Sequence, residues 1–518
     1  MNGLLDALDS AAGTNLLVTT ESTDLLFHRI WTDAGRRAAW FRHHTDRPVV
    51  GILLENTVDS ITNLLAGWRA GMTMASLPLP PRGATTEDYV DMLGRALADA
   101  DGDRLLAEPG RAELLSAAGL PATSHDEVRA PAGSHVTGTT VGHPGLIQFS
   151  SGSTGDPKGI CLPLDHIDHN VRAILERVQL QCSPVIASWL PLSHDMGLIG
   201  MLLSGLAHFG HHPTPGGRIV LASPQSTLRR PDGWLRLLSE TRATISAGPP
   251  FMLQRELAGS PGGPGGLDLT HLETLILGAE PIPAALVSAW EDRRSALSAG
   301  PHVLRPAYGL AEATLAVTML APHTAVSTVQ PDGWSTELVR LGAPLDGTEV
   351  AVADDGRISV RGPSLLERYT TTPADLTDGW FETSDLGAVI DGELCVFGRA
   401  DDVIISRGRN IFPADIEAAS VGCGVRRGCV TAFGSADGTF VVVAELETGT
   451  TAGDAAHAVL GQVTERIGIR PEGVVIIGPG TFPRTPSGKA RSRVLRSSLA
   501  AGLEVLHATC PTPTIGEH

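Results

Sequence analysis

Lysine is nearly missing from this 518-residue chain. Of 39 Lys and Arg residues only Lys158 and Lys489 are lysine, so 37 are arginine. GC-rich coding favours arginine on solvated faces, and the same drift would remove these two unless arginine served badly there. Lysine carries a compact, mobile ammonium and arginine a broad planar fork. Both lysines lie in segments rich in Gly, Ser and Thr, SSGSTGDPKGI (150–160) and RTPSGKA (484–490). A site needing a point charge beside a carboxylate or phosphate oxygen accounts for the pair.

Other scarcities exclude whole classes. Positive charge is outweighed, with a formal net charge of −18 and a pI near 5.4, so nucleic acid or an anionic membrane is excluded as the main partner. A local basic rim around an anionic ligand is compatible with that balance. The six cysteines (161, 182, 395, 423, 429, 510) show no CxxC spacing, which fits buried thiols in a reducing compartment rather than a metal site or disulfide framework. No run of about 18 apolar residues occurs, which excludes a transmembrane helix, and the first residues lack a basic then apolar leader pattern. A cytoplasmic protein without integral membrane association is expected. At 54.2 kDa the chain exceeds what one hydrophobic core supports, so two or more domains are expected.

The pattern along the chain reads as α/β. Residues 49–54 form a buried strand, 59–70 carry helical spacing and 72–79 are extended again, a strand–helix–strand unit. Residues 121–145, rich in Pro, Gly, Ser, Thr and His, read as a surface connector, and 146–149 as a strand feeding the Gly/Ser/Thr loop. Further strands are expected at 186–190 and 272–277, with a glycine-rich loop at 259–266 between them. Short strands at 357–361 and 393–397 point to an antiparallel subdomain. Beyond Gly398 the strands 439–446 and 474–477 and the helix 452–467 describe a small α+β unit. The expected organisation is therefore a large unit over 1–400 with parallel-sheet α/β subdomains and a small antiparallel subdomain. A small mobile α+β unit over 401–508 and a disordered tail over 509–518 follow.

The densest chemistry is at 150–159. Gly152, Gly155 and Gly159 let backbone N–H groups approach a phosphate, and Ser150, Ser151, Ser153 and Thr154 add hydroxyls. A Walker A loop is excluded, because that pattern needs Gly-Lys-Ser/Thr opening a helix and Lys158 is followed by Gly159 and Ile160. Glu312 in AYGLAEAT (307–314) is a lone carboxylate after a glycine turn, suited to Mg²⁺ beside phosphates or simply to the surface. Asp385 is a carboxylate able to accept two hydroxyl groups in charge-assisted bonds. Tyr308, one of three tyrosines, suits stacking on a planar ring or a place in the core. His194 and Asp195 have the look of a base dyad, and a pocket or gating role stands beside a purely structural one.

In order along the chain, SSGSTGDPKGI, SWLPLSHDMGLIG (188–200), LGAEPI (277–282), AYGLAEAT, GWFETSDLG (379–387), GRADDVIISRGRNIFPADIE (398–417) and RTPSGKA resemble the motif series of the adenylate-forming superfamily. That superfamily holds acyl-CoA synthetases, fatty acyl-AMP ligases, peptide-synthetase adenylation domains and luciferases. HDMGLIG looks most like the fatty acyl-AMP ligase and acyl-CoA synthetase branch.

The resemblance implies ATP and Mg²⁺ as cofactors and a set of site roles. Ser150, Ser151, Gly152, Ser153, Thr154, Gly155 and Lys158 would manage the β- and γ-phosphates. Thr154 and Glu312 would hold Mg²⁺. Gly278, Ala279, Glu280, Tyr308 and Gly309 would form the adenine wall, with Asp385 and Arg399 on the ribose or phosphate. His194 would line the acyl pocket and Asp401 act as hinge. Lys489 would bridge the acyl carboxylate and the α-phosphate.

The implied reaction is activation of a carboxylic acid of fatty-acyl type to acyl-AMP with release of pyrophosphate. Acyl transfer to the phosphopantetheine thiol of an acyl carrier protein follows. Coenzyme A is the alternative acceptor, and a nucleotide-binding protein without turnover a further alternative. The HDMGLIG and RGRNIFPADIE strings, with Arg407 where many CoA ligases carry glycine, favour the carrier protein. Residues 369–383 are too short for the insertion fatty acyl-AMP ligases carry before the aspartate motif, which favours CoA. Ser384 stands where the family usually has glycine.

Overall fold

The computed structural model describes residues 3–21, 23–80, 85–129, 144–150, 157–181, 183–213, 216–258, 266–331, 337–406, 409–434, 439–483 and 492–509, the side chains of Ser150, Asn410 and Arg493 excepted. Two large sheets carry the first part of the chain. In one, strands Gly145–Ser150, Thr73–Ser76, Val49–Ile52, Gly102–Ala107 and Ala122–Ser124 run parallel, and Lys158–Pro163 returns antiparallel at one side. In the other, Leu304–Gly309, Thr274–Leu277, Ile245–Gly248, Val185–Ser188, Arg218–Leu221 and Leu17–Thr20 form the parallel centre.

Helices between these strands bury their apolar faces on the sheets. Val58–Ala70 starts at Thr57, whose hydroxyl accepts from Ser60 N, and stops at Gly71, whose φ of 86° is the left-handed conformation glycine supplies. Four tryptophans (68, 189, 234 and 290) are fully buried. The indole N–H of Trp68 donates to Gly145 O at 2.9 Å, and that of Trp234 to Ser246 Oγ at 2.9 Å. Such large side chains gain most from burial when their one donor is satisfied.

An antiparallel five-stranded sheet follows, with Glu349–Val352, Arg357–Arg361, Leu376–Thr377, Trp380–Ile390 and Glu393–Arg399. The residues from Ile404 onward pack two hydrophobic clusters of their own. There Phe440–Leu446 and Gly473–Ile477 run parallel, linked by helix Ala452–Ile467, and Val425–Gly434 and Val505–Ala508 pair antiparallel on either side.

This is the α/β architecture expected from the sequence, with its antiparallel subdomain and small α+β sheet. One expectation is corrected: the connector at 121–145 begins inside the fold. Ala122–Ser124 is a sheet strand and His125 is fully buried, its ring Nδ1 3.0 Å from Asn63 Nδ2. The polar composition disguised it, because a three-residue strand shows too little alternation to register. Cys161, Cys395, Cys423 and Cys429 are buried free thiols. Among the described residues no helix is long and apolar enough to cross a membrane. Cys182, Cys510, the loop at 259–265 and the tail from 510 lie outside the described residues.

Candidate active site

The carboxyl ends of the parallel strands, the antiparallel sheet and the small unit enclose one cavity of about 2120 Å³. Crevices at the carboxyl ends of strands are where open α/β sheets bind ligands. One wall begins where Thr274–Leu277 runs out into Gly278, Ala279 and Glu280. Ala279 has a φ of 71°, a left-handed conformation uncommon for a residue with a Cβ. The neighbouring strand Leu304–Gly309 delivers Tyr308 and Gly309 beside it. A Cβ on Gly309 would overlap the Leu315 carbonyl oxygen, so only glycine permits the hairpin with Ala316–Met319 to close here.

Glu312 sits on the short turn Ala311–Ala313, just before Thr314 with its φ of 68°. A β-branched residue in that region stores strain of about 1–3 kcal/mol. It is held by Thr314 Oγ1 donating to Ser364 O at 2.7 Å and Leu366 N donating to Glu312 O at 2.7 Å. Burial pushes the Glu312 carboxyl up, Asp195 adds to that, and Arg399 and the Tyr369 hydroxyl oppose it. The hydroxyl donates to Glu312 Oε1 at 3.3 Å.

Opposite lies Asp385, directly across from Arg399 in the antiparallel register. Its backbone N donates to Thr383 Oγ1 at 3.0 Å, and its Oδ2 accepts from the Tyr308 hydroxyl at 2.6 Å. Burial, followed by the Asp385 charge, pushes Tyr308 well above its ordinary value, so its hydroxyl stays a donor. Arg399 Nη2 is 4.0 Å from Asp401 Oδ2, with both side chains about half exposed, so this pair carries little stability by itself.

His194 and Asp195 head the π-helix Met196–Leu203. His194 Nδ1 lies 2.6 Å from Asp195 Oδ1, which also accepts from Met196 N at 2.6 Å. The aspartate thus caps the helix and orients the ring. Lys158, exposed, opens the returning strand Lys158–Pro163 opposite Ser150. It therefore starts a strand and not the helix a Walker A lysine precedes.

From these groups the cavity continues between helices Pro250–Ala258 and Ala284–Arg294. Phe251, Gln254 and Leu257 face it from one, Ala285, Ala289 and Arg293 from the other, each at a three-to-four residue spacing. One cavity thus joins this set of polar groups to a lobe between two helices.

A comparison with known proteins decides the family: residues 10–370 match the AMP-binding enzyme family. The chain belongs to it. As a member it is similar to the putative ligase Rv1013 of Mycobacterium tuberculosis, with 32% identity covering 86% of this chain and 88% of the relative. A putative acyl-CoA synthetase of Caulobacter vibrioides is 30% identical, covering 88% and 86%. A solved chain from studies of fatty acyl-adenylate ligases of E. coli and L. pneumophila superposes at a TM-score of 0.86, with 25% identity over 96% of this chain and 99% of its own. This AMP-binding enzyme is an AMP-forming ligase of the acyl-CoA synthetase and fatty acyl-AMP ligase type, and it activates an acid by adenylation with ATP.

Of the residues singled out in the sequence, Lys158, His194, Gly278, Ala279, Glu280, Tyr308, Gly309, Glu312, Asp385 and Arg399 all line the one cavity. Asp401 does not, although its neighbour Asp402 does. Ser151, Gly152, Ser153, Thr154, Gly155, Arg407, Gly408 and Lys489 lie outside the described residues. Sequence reasoning passed over Tyr369, Thr383 and Gln148, whose Nε2 donates to Ser193 O at 2.7 Å. The scarcity of tyrosine was the one available signal for Tyr369.

Among the described residues no group of three or more His, Cys, Asp or Glu side chains converges on a metal position. Glu312, half-buried near the Asp195 carboxylate, is a hard oxygen donor that would gain from a cation. It suits an ion completing its shell with phosphate oxygens and water, as Mg²⁺ does.

Proposed function

We propose that the enzyme activates a fatty carboxylic acid to acyl-AMP and then passes the acyl group to the phosphopantetheine thiol of an acyl carrier protein. The observation that carries this reading is the continuity of the cavity. Asp385, Arg399, Tyr308 and Glu312 line the same cavity as Phe251, Leu257, Ala285 and Ala289 of the two helices. An acid lying between those helices meets a nucleotide held by the polar groups.

In the first half-reaction a carboxylate oxygen attacks the α-phosphorus of ATP, the bond to the β-phosphate oxygen breaks, and pyrophosphate leaves. Two anions must meet, so placed positive charge is the main requirement. Asp385 accepts the ribose hydroxyls and Arg399 supports ribose or phosphate. Tyr308, Gly278, Ala279, Glu280 and Gly309 wall the adenine. The 150–155 loop and Lys158 take the β- and γ-phosphates. Glu312 and Thr154 would hold Mg²⁺, which supplies charge neutralisation at those phosphates. Lys489 bridges carboxylate and α-phosphate.

In the second half-reaction the thiol sulfur attacks the acyl carbonyl, AMP departs with its phosphate oxygen, and the thiol proton goes to solvent. His194 lines the acyl side as pocket wall or gate. The unit over 401–508 turns about Asp401 between the two half-reactions, which withdraws Lys489 and brings up the loop at Gly408.

A second reading, with coenzyme A as acceptor, is favoured by one observation. Leu376–Thr377 pairs with Trp380 and Phe381 through a two-residue turn of Asp378 (φ 51°) and Gly379 (φ 80°). That tight hairpin occupies the place where fatty acyl-AMP ligases carry an insertion associated with poor CoA use. ATP–pyrophosphate exchange over a panel of acids of graded length tests the adenylation. Holo-carrier protein and CoA offered in competition to the loaded enzyme then decide the acceptor. Exclusive acylation of CoA overturns the carrier-protein reading.

A further inference from the structure

The Tyr308 hydroxyl lies 2.6 Å from Asp385 Oδ2, across 77 positions of sequence. The contact does not arise from the strand pairing that sets Asp385 opposite Arg399, because Tyr308 belongs to a different sheet. It is a short bond to an anion, in the range of charge-assisted bonds and stronger than a neutral one. The backbone on both sides is independently fixed. Asp385 N donates to Thr383 Oγ1, which itself donates to Ile358 O at 2.8 Å. Tyr308 is clamped by the closed hairpin that Gly309 permits. Two rigid frames thus meet at one hydrogen bond, and the carboxylate's rotation about its own side-chain bonds is the freedom that bond removes. Stacking on adenine would use the tyrosine ring and leave the hydroxyl without a task, so this contact is a second function of the same side chain.

We propose that the Tyr308 hydroxyl is a positioning group that fixes the Asp385 carboxylate for ribose recognition, so that selection of a ribonucleotide over a deoxyribonucleotide runs through it. The inference rests on the reading of Asp385 as the ribose acceptor. With Oδ2 engaged by the hydroxyl, Oδ1 is the oxygen left for the ribose, and the carboxylate arrives oriented before nucleotide binds. Loss of the hydroxyl leaves a carboxylate that must be ordered by the ribose itself, at the expense of affinity.

The test uses pyrophosphate exchange at saturating acid with ATP, 2′-deoxy-ATP and 3′-deoxy-ATP. Wild type, Tyr308→Phe, Asp385→Asn and the double variant are compared, with ATP binding measured by calorimetry and thermal midpoints as a folding control. Tyr308→Phe keeps the ring. It is expected to raise KM and Kd for ATP about tenfold, the effect of one lost charge-assisted bond. It should lower the preference for ATP over the deoxynucleotides by a similar factor, with a smaller change in kcat and none in KM for the acid. In the Asp385→Asn background the same substitution should add nothing to the nucleotide preference.

Wild-type KM and preference in Tyr308→Phe overturn the proposal, as does an undiminished effect in the Asp385→Asn background. A wild-type enzyme that does not distinguish ATP from its deoxy forms, or an Asp385→Asn variant that still does, overturns instead the assignment of Asp385 to the ribose.

Discussion

Burial of a charged group inside the large unit makes a pH-dependent stability term that can be read at one residue. Glu256 is 2% exposed, and its two carboxylate oxygens accept from Trp234 N at 2.7 Å and Leu235 N at 2.8 Å, where helix Gly233–Thr241 begins. Burial nevertheless pushes the carboxyl up to about 7 from 4.5. Between those values the folded chain holds a proton that the unfolded chain has released. The contribution is complete below pH 4.5 and disappears as pH rises through 7. A difference of that size corresponds to about 3 kcal/mol. Glu256→Gln removes the titration, so the stability of wild type relative to the variant should fall by about that amount between pH 4.5 and pH 8. Thermal midpoints of the two proteins across that range check it, and parallel curves would refute the assignment. This carboxylate was illegible in the sequence, where it is one acid in a helix. Asp385 and Glu312, by contrast, were singled out there as candidates because each lies in a short motif with an unusual neighbour set, and both line the cavity. The hydroxyls of Tyr308 and Tyr369 that hold them were not, since both contacts join distant segments.

At the scale of elements the glycines carry the most information, because they mark where backbones come too close for a side chain. Gly309 was singled out for a proposed adenine wall, and the structure shows why glycine stands there: the Leu315 carbonyl oxygen occupies the space a Cβ would need. Gly309→Ala must therefore open the hairpin between Leu304–Gly309 and Ala316–Met319, costing about 1–3 kcal/mol and displacing Tyr308. The expected outcome is a lower thermal midpoint together with a raised KM for ATP. A wild-type KM would show that the hairpin end is not part of the nucleotide wall. The strands at 357–361 and the helix at 452–467 were read to the residue, since alternation and helical periodicity are strong over such lengths. The π-helix Met196–Leu203 was not, because its i→i+5 winding leaves no periodic signature in a segment apolar all round. Nor did any pattern announce the positive φ of Ala279 and Thr314, the latter at the centre of a tight turn in which Leu315 N donates to Ala313 O at 2.8 Å.

At the scale of the molecule the cavity has walls from both parts of the chain. Phe412, Arg427 and Arg466 of the small unit face it together with Tyr308 and Asp385 of the large one. A site assembled from two separately packed cores can present different small-unit surfaces to one bound intermediate, and this is the physical basis for giving Lys489 a part in one half-reaction. If that lysine is delivered for adenylation and withdrawn for thiol attack, Lys489→Ala should lower pyrophosphate exchange by about 10²–10³-fold, the usual loss of one preorganised charge. Acyl transfer from supplied acyl-AMP should stay near the wild-type rate. Equal losses in both assays refute the division of labour. The near-absence of lysine sharpens the experiment, because a chain with 37 arginines has had every opportunity to use arginine at this position. A bridging role between a carboxylate and an α-phosphate asks for a compact ammonium that both anions can approach. Lys489→Arg should therefore be impaired in exchange nearly as severely as Lys489→Ala. Full exchange activity in the arginine variant would mean that charge alone is required there, and that the rarity of lysine reflects coding bias at this position as elsewhere.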